Sequence, residues 1–144
     1  YFFSLCYVDL DFFKRVNDRF GHSTGDAVLR QFADIAVQVL REIDCVARVG
    51  GEEFILVLSG TSEQDAQAAA ERICFKLANL QVSQSDPNYR ITASIGITAY
   101  RRHEEALETM GRADRALYDA KSKGRNRIVI ADHDAEPDLL RARG

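Results

Sequence analysis

The 144-residue sequence predicts a single domain of the α+β class, in which helices pack on an antiparallel sheet. Three observations lead to this prediction. The first residues of the chain are almost continuously apolar, which is typical of a strand buried on both faces. Several later segments repeat apolar residues with helical spacing. Two short β-type runs flank Gly50-Gly51, a pattern typical of a hairpin.

The first half of the chain is predicted to hold one strand, two helices and the hairpin. Ser23 or Thr24 is expected to cap the second helix, since these residues accept a hydrogen bond from a helix N-terminus. The predicted bounds are 1–8 for the strand, 9–22 for a helix broken at Gly21, 23–43 for the second helix, and 45–49 and 54–58 for the hairpin strands.

The second half is predicted to contain two more helices and two more strands. Ser62 should cap the helix at its start, and Gly124 should end the last helix. Over 91–98, isoleucine or alanine alternates with threonine, serine or glycine, which indicates a half-exposed strand. The predicted bounds are 62–80 and 105–123 for the helices and 91–100 and 127–131 for the strands, followed by a flexible tail over 132–144.

The element order β-αα-ββ-α-β-α-β contains the ferredoxin-like pattern, an antiparallel sheet with helices on one face. In that pattern the first strand lies beside the strand that leaves the hairpin. Asp9 and Glu52 should therefore be neighbours at one end of the sheet. Because like charges repel unless a cation lies between them, this placement indicates a divalent metal.

Composition excludes several classes of function. A net charge of −3 argues against a protein that binds a nucleic-acid polymer regardless of its sequence, which needs a basic face. The odd number of cysteines, each in an apolar context, indicates reduced packing residues of a cytoplasmic domain: Cys6, Cys45 and Cys74. No apolar run is long enough to span a membrane, and there is no signal-peptide pattern.

The candidate ligands are carboxylates alone, which favours Mg²⁺ or Mn²⁺ over zinc. Mg²⁺ held by one or two carboxylates usually shares its coordination sphere with substrate phosphates, so phosphoryl or nucleotidyl transfer is indicated. Cations suited to phosphate follow Asp9 and flank Gly124: Lys14, Lys121 and Arg125. The sequence has no Walker-type glycine loop, which excludes an ordinary P-loop enzyme.

Four segments in order resemble the GGDEF domain of the diguanylate cyclases: DLDFFKRVNDRFGHSTGD, RVGGEEF, ASIGIT and RADRALYDAKSKGRN. The resemblance runs from about Val8 to Ile130. It implies a palm-like nucleotidyl cyclase variant of the ferredoxin-like sheet. It also implies that two GTP molecules are joined into cyclic di-GMP with release of two pyrophosphates, by two domains facing each other in a homodimer.

The resemblance also implies roles for individual residues. Asp9 and Glu52, with the Leu10 carbonyl, would bind the metal, and Glu52 would help activate the attacking 3′-hydroxyl. Glu53 would also be needed for activity, although in a regular strand its side chain would leave on the face opposite to Glu52. The phosphate contacts would be Phe12, Phe13, Lys14, Lys121 and Arg125, with Lys14 stabilising charge in the transition state.

Asn17, His22 and Asp26 resemble the group that recognises the nucleoside. A carboxylate can accept from both N1–H and the N2 amino group of guanine, a pair of donors that adenine lacks, so Asn17 and Asp26 would favour GTP over ATP. Arg41 and Asp44 resemble the RxxD motif of an inhibitory cyclic di-GMP site, and Arg72 resembles a secondary arginine of that site.

Each motif also has a plainer interpretation. Gly50-Gly51 can be only a turn, and His22 only a capping or packing residue. Asp26, Lys121 and Arg125 can simply complement helix dipoles. The alternative functions are a GTP- or cyclic di-GMP-sensing module without turnover, and an ATP-using cyclase or polymerase-like palm.

The resemblance also concerns the ends of the chain. The family domain normally begins earlier than Tyr1. We therefore expect residues 1–131 to be a domain without its N-terminal part. An upstream sensory region is expected in the parent protein, which could attach it to a membrane.

Overall fold

The structure, a computed structural model, describes residues 2–132. The predicted order of elements is confirmed, and the fold is α+β. The elements are β1 (Phe3–Leu10), α1 (Phe13–Phe20), α2 (His22–Val39), β2 (Cys45–Arg48), β3 (Glu53–Ser59), α3 (Glu63–Ala78), β4 (Ala93–Ala99), α4 (Ala106–Ser122) and β5 (Arg127–Ile130). Nearly all of the predicted tail, 133–144, lies outside the described residues.

The five strands form one sheet in the order β2-β3-β1-β4-β5. β1 is antiparallel to both β3 and β4, so the predicted placement of the first strand beside the strand leaving the hairpin is confirmed. The sequence predicted an antiparallel sheet, whereas the sheet is mixed: β4 and β5 are parallel. The α4 crossover between them returns the chain to the same end of the sheet.

Helices cover both faces of the sheet, whereas the sequence predicted helices on one face. Cys6, Val8 and Leu10 of β1 belong to the core formed with α1, α2 and α3. Leu5 and Tyr7, which point to the other face, pack with Ala113 and Leu117 of α4. The alternate residues of β1 are apolar on both faces, so each face needs a cover.

β4 is fully buried over its first six residues, so the predicted half-exposed strand is wrong. Its polar residues lie inside because they are hydrogen-bonded: Ser94 donates to Asp11, and Thr98 accepts from Arg112. Gly96 lets α4 approach closely. A Cβ at this position would lie 2.3 Å from the Ala113 carbonyl oxygen.

Several helix and strand boundaries differ from the prediction, and these differences affect residues of the candidate sites. β1 continues through Asp9 and Leu10, which were predicted to be helical. The N-cap of α2 is Gly21, at φ 92°, rather than Ser23 or Thr24. α2 ends at Val39, so residues 41–44 lie in a loop rather than on the helix.

Two predicted helix ends are confirmed. The Ser62 hydroxyl accepts from the Asp65 N–H at the start of α3. Gly124 follows α4 with φ 120°. The cysteine prediction is wrong for Cys45, which is exposed on the edge strand β2, while Cys6 is buried; all three cysteines are free. No helix in residues 2–132 is long and apolar enough to cross a membrane.

Candidate active site

The candidate site lies where β1 ends beside the start of β3. Asp9 pairs with Glu53 in the antiparallel ladder, and the Leu10 N–H donates to the Glu52 carbonyl oxygen at 3.2 Å. Asp9 is only 5% exposed. The topology therefore brings Asp9 to the glutamate pair, as expected from the element order.

The register decides which glutamate shares a face with Asp9. Residues directly opposite each other in a ladder project to the same face, so Glu53 lies on the face of Asp9 and Tyr7. The Tyr7 hydroxyl is 3.5 Å from Glu53 Oε1. The ladder thus places Glu53, the first residue of β3, on the face of Asp9, while Glu52 precedes the strand. Glu52 is half-buried at the end of the turn.

A cation lies against Asp9. Lys121 Nζ, from the last turn of α4, is 2.5 Å from Asp9 Oδ2. Among residues 2–132 there is no cluster of three or more acidic, histidine or cysteine side chains that could hold a metal. The metal donors predicted from the sequence, the Asp9 and Glu52 carboxylates and the Leu10 carbonyl, are all oxygens, which is the chemistry that a hard cation prefers, and Asp9 is nearly buried.

Asp11 is a buried residue of the site that sequence reasoning missed. Its carboxylate accepts from Thr92 and Ser94, each at 2.7 Å, and from the Asn126 N–H at 3.0 Å. Its Oδ1 lies 3.8 Å from a guanidinium nitrogen of Arg125. The spacing of two residues between Asp9 and Asp11 at the end of a strand was the available signal, since it places both on one face.

Arg125 therefore reaches the same end of the sheet as Lys121, as the resemblance implied. Its backbone has φ 65°, and its guanidinium lies 4.8 Å from the centre of the Phe12 ring. The two carboxylates Asp9 and Asp11 each face a cation from the end of α4. Two carboxylates and two cations therefore lie together at this end of the sheet.

The N-terminus of α1 opens beside these residues. Phe12 is its N-cap at φ 53°, no side chain caps the helix, and no acidic residue occupies the first turn. Lys14 is exposed there, whereas the Phe13 side chain is buried in the core. Backbone N–H groups at a helix N-terminus favour anions such as phosphate, and a nearby lysine strengthens that preference.

Asn17, His22 and Asp26 lie around the α1–α2 junction. Asn17 packs against Gly25, where an added Cβ would fall 1.8 Å from Asn17 Oδ1. That oxygen is buried and has no hydrogen-bond partner in the structure. His22 opens α2, and Asp26 follows one turn later; both are exposed. A buried amide oxygen without a partner is uncommon and has the chemistry to meet a donor on a ligand.

Arg41, Asp44 and Arg72 meet in a second place, around a cavity of about 300 Å³ between the end of α2, the end of β3 and α3. The Arg41 guanidinium donates to Asp44, to the Ser59 carbonyl oxygen and to Thr61. Burial would raise the pKa of Asp44, but hydrogen bonds from the Arg41 side chain and backbone outweigh it and hold that pKa below its usual value.

The fold and this arrangement of charges are those of an α+β domain of the nucleotidyl cyclase class. The comparisons with known proteins are specific. The family model described as "Diguanylate cyclase, GGDEF domain" matches residues 1–127. The chain belongs to this family.

The relatives include Diguanylate cyclase A of Treponema denticola, which is 41% identical over 129 residues, 89% of this chain and 35% of that protein. The chain thus spans about a third of the length of that relative. A solved active GGEEF domain of a diguanylate cyclase from Vibrio cholerae has a TM-score of 0.85 at 35% identity, covering 92% of this chain and 85% of that one.

A further solved structure, the GGDEF domain of DgcB from Caulobacter crescentus in complex with c-di-GMP, has a TM-score of 0.84 at 32% identity. It covers 90% of this chain and 77% of that chain.

Proposed function

We propose that this domain condenses two GTP molecules into cyclic di-GMP and releases two pyrophosphates. The observation that carries the proposal is the meeting, at one end of the sheet, of Asp9 and the Glu52-Glu53 turn with Lys121 and Arg125. The domain would form a homodimer for catalysis, because each domain would bind one GTP. The named relatives are diguanylate cyclases, which supports the same reaction.

The triphosphate would lie across the N-terminus of α1. The backbone N–H groups of Phe12 and Phe13 would face its terminal oxygens. Lys14, exposed in the first helical turn, would face charge that develops on the leaving pyrophosphate. Lys121 and Arg125 would contact the same oxygens from α4 and the loop after it. Lys121 would first have to leave Asp9, which it pairs with in this structure.

Asp9, Glu52 and the Leu10 carbonyl would hold Mg²⁺ or Mn²⁺, because oxygen ligands suit a hard cation and the Glu52 backbone is hydrogen-bonded to Leu10 at this end of the sheet. When bound, such a metal neutralises phosphate charge and lowers the pKa of a coordinated hydroxyl. Glu52 would in addition accept the proton of the 3′-hydroxyl. Glu53, close to the Tyr7 hydroxyl, would keep the turn in place and add negative charge on the face of Asp9.

Guanine would be recognised by Asn17 and Asp26, with His22 beside them. Gly25 leaves space for the Asn17 amide, whose buried Oδ1 has no hydrogen-bond partner in the structure and would accept from a base donor once the surrounding side chains make way. An adenine would leave these polar groups unpaired, at a cost of about 1–3 kcal/mol for each.

The cavity bounded by Arg41, Asp44 and Arg72 would bind cyclic di-GMP and inhibit the enzyme. Two arginines can face its phosphates or guanine edges, and Asp44 fixes the Arg41 geometry. A related GGDEF domain has been solved in complex with c-di-GMP. A domain that only senses the nucleotide would bind at this cavity without making product.

Incubation with GTP and Mg²⁺, followed by nucleotide chromatography, tests the proposal. We expect cyclic di-GMP from the wild-type chain, little product from ATP, and at least about a 100-fold loss of rate in Glu52→Ala. Arg41→Ala should keep the rate and lose inhibition by added cyclic di-GMP. A folded wild-type chain that makes no more product than Glu52→Ala at any protein concentration would overturn the catalytic proposal.

A further inference from the structure

The segment that follows α4 has an unusual backbone. Gly124, Arg125 and Asn126 have φ values of 120°, 65° and 49°, so three consecutive residues lie in the left-handed region. This conformation costs a residue with a side chain about 1 kcal/mol or more, and it persists only where surrounding contacts hold it. The contacts that hold it come from two adjacent residues at the end of β1.

Asp11 holds the backbone of this segment. Its carboxylate, 3% exposed, accepts from the Asn126 N–H at 3.0 Å and lies 3.8 Å from the Arg125 guanidinium. Thr92 and Ser94 donate the remaining hydrogen bonds. Asp11 is therefore tied to β4 on one side and to the segment after α4 on the other. A buried carboxylate with this many donors has few alternative positions.

Phe12 holds the side chain of Arg125. The ring is 48% exposed, and the guanidinium groups of Arg15 and Arg125 lie 4.0 Å and 4.8 Å from its centre. Phe12 has φ 53°, in the left-handed region, and its ring lies within cation–π distance of both arginines. An exposed aromatic ring that gathers two like charges is placed for cation–π contact rather than for core packing.

We propose that Asp11 and Phe12 are positioning residues, and that together they present Arg125 to the nucleotide phosphates. Asp11 fixes the backbone from which Arg125 projects, and Phe12 fixes its guanidinium beside the N-terminus of α1. This inference rests on the proposed function, in which Arg125 contacts GTP. It adds that the contribution of Arg125 to nucleotide binding depends on Asp11 and Phe12, which hold its guanidinium in position.

A double-mutant cycle between Phe12 and Arg125 tests the proposal. Phe12→Leu keeps apolar bulk and has the same left-handed backbone cost, but it removes the π face. Phe12→Tyr keeps that face. Binding of a non-cyclising GTP analogue in Mg²⁺ is measured by calorimetry, so that no result depends on turnover. We expect Phe12→Leu to weaken binding about five- to tenfold and Phe12→Tyr to recover most of that loss.

In the Arg125→Ala background, Phe12→Leu should have no further effect, because the ring acts through Arg125. Phe75→Leu, which changes another exposed phenylalanine, on α3, should leave the affinity unchanged. The melting temperature of Phe12→Leu and its affinity for cyclic di-GMP should also match wild type. A purely structural role would change both.

Asp11→Asn should weaken analogue binding at least as much as Phe12→Leu, and if this variant does not fold, the Phe12 cycle decides the matter alone. An equal loss from Phe12→Leu with and without Arg125, or no loss at all, would overturn the inference while leaving the proposed function intact. A folded wild-type chain that does not bind the analogue would instead overturn the proposed function.

Discussion

At the scale of single residues, the Lys121–Asp9 pair is the contact with the clearest chemical consequence. The ammonium lies 2.5 Å from the carboxylate that we propose binds a metal, and the Lys121 side chain is only 25% exposed. Lys121 would therefore compete with a divalent cation when no nucleotide is bound. When GTP is present, the same ammonium can turn to phosphate.

These two roles predict that Lys121→Met has opposite effects on the affinity for a divalent metal and on the affinity for a GTP analogue. Without nucleotide, the affinity for Mn²⁺, measured by electron paramagnetic resonance, should rise about tenfold because the competing charge is gone. The affinity for a GTP analogue should fall about tenfold because a phosphate contact is lost. Lys123→Met changes an exposed lysine two residues further on and should alter neither. Unchanged or weaker Mn²⁺ binding in Lys121→Met would show that the pair does not compete.

The residues of the site differ in how well the sequence predicted them. Asp9 beside the glutamate pair followed from topology, because strand order fixes which ends meet. Which of the two glutamates shares the face of Asp9 depends on the register of the ladder, and a shift of one residue would reverse every side chain. Asp11 was not predicted from the sequence, because the partners of its carboxylate lie far away along the chain: Thr92, Ser94 and Asn126. The residues next to Asp11 in the sequence do not indicate such long-range contacts.

At the scale of elements, the same limit applies to β4. Its alternation of isoleucine with serine, threonine and glycine is typical of a strand with one solvent-exposed face. The structure buries both faces because α4 lies directly against Gly96. Burial of the second face depends on whether a helix packs against it, and the sequence of β4 alone does not predict this packing.

The close approach of α4 predicts a large effect of Gly96→Ala. The added Cβ would lie 2.3 Å from both the Ala113 carbonyl oxygen and the Leu117 nitrogen, which are backbone atoms and cannot turn aside. Urea unfolding should show a loss of about 3 kcal/mol or more. Gly51→Ala adds a Cβ into open space and should change stability by less than about 1 kcal/mol. Similar losses in the two variants would refute the packing explanation.

α4 is also joined to the loop after β4 by a buried ion pair. Arg112 donates to both carboxylate oxygens of Glu104, to Thr98 and to the Ala99 carbonyl oxygen, and it is 1% exposed. Burial would raise the pKa of Glu104, but hydrogen bonds from Arg112, from the Arg101 N–H and from Thr109 lower it from 4.5 to about 2.

This lowered pKa predicts a loss of stability in acid. The folded state favours the carboxylate, so the stabilisation is complete above about pH 4.5 and is lost as the pH falls toward 2, amounting to about 3 kcal/mol at most. Urea unfolding at pH 5, 4 and 3 should show this fall. Glu104→Gln combined with Arg112→Met removes both charges, and its fall over the same range should be smaller. Identical falls in the two proteins would exclude Glu104 as a source.

At the scale of the whole molecule, β3 separates the two proposed sites. The candidate active site lies at Glu53, and the Arg41 cavity lies near Ser59 at the other end of the strand. Six residue steps of about 3.4 Å place them roughly 20 Å apart. Cyclic di-GMP at the cavity would therefore not block GTP directly, and inhibition would have to act on the approach of two domains.

The need for two domains gives the last prediction. In the proposed reaction each domain would offer one nucleoside group and one set of phosphate contacts, so joining two GTP molecules would require two active sites to face each other. Below the dissociation constant of the dimer, the rate of cyclic di-GMP formation per chain should rise in proportion to protein concentration. Fusion to a parallel coiled coil should raise that rate at low concentration, because it increases the effective concentration of the second domain. Light scattering reports the oligomeric state under the same conditions. A constant rate per chain from a protein that stays monomeric would refute the two-domain mechanism, while the nucleotide contacts proposed for each domain would still stand.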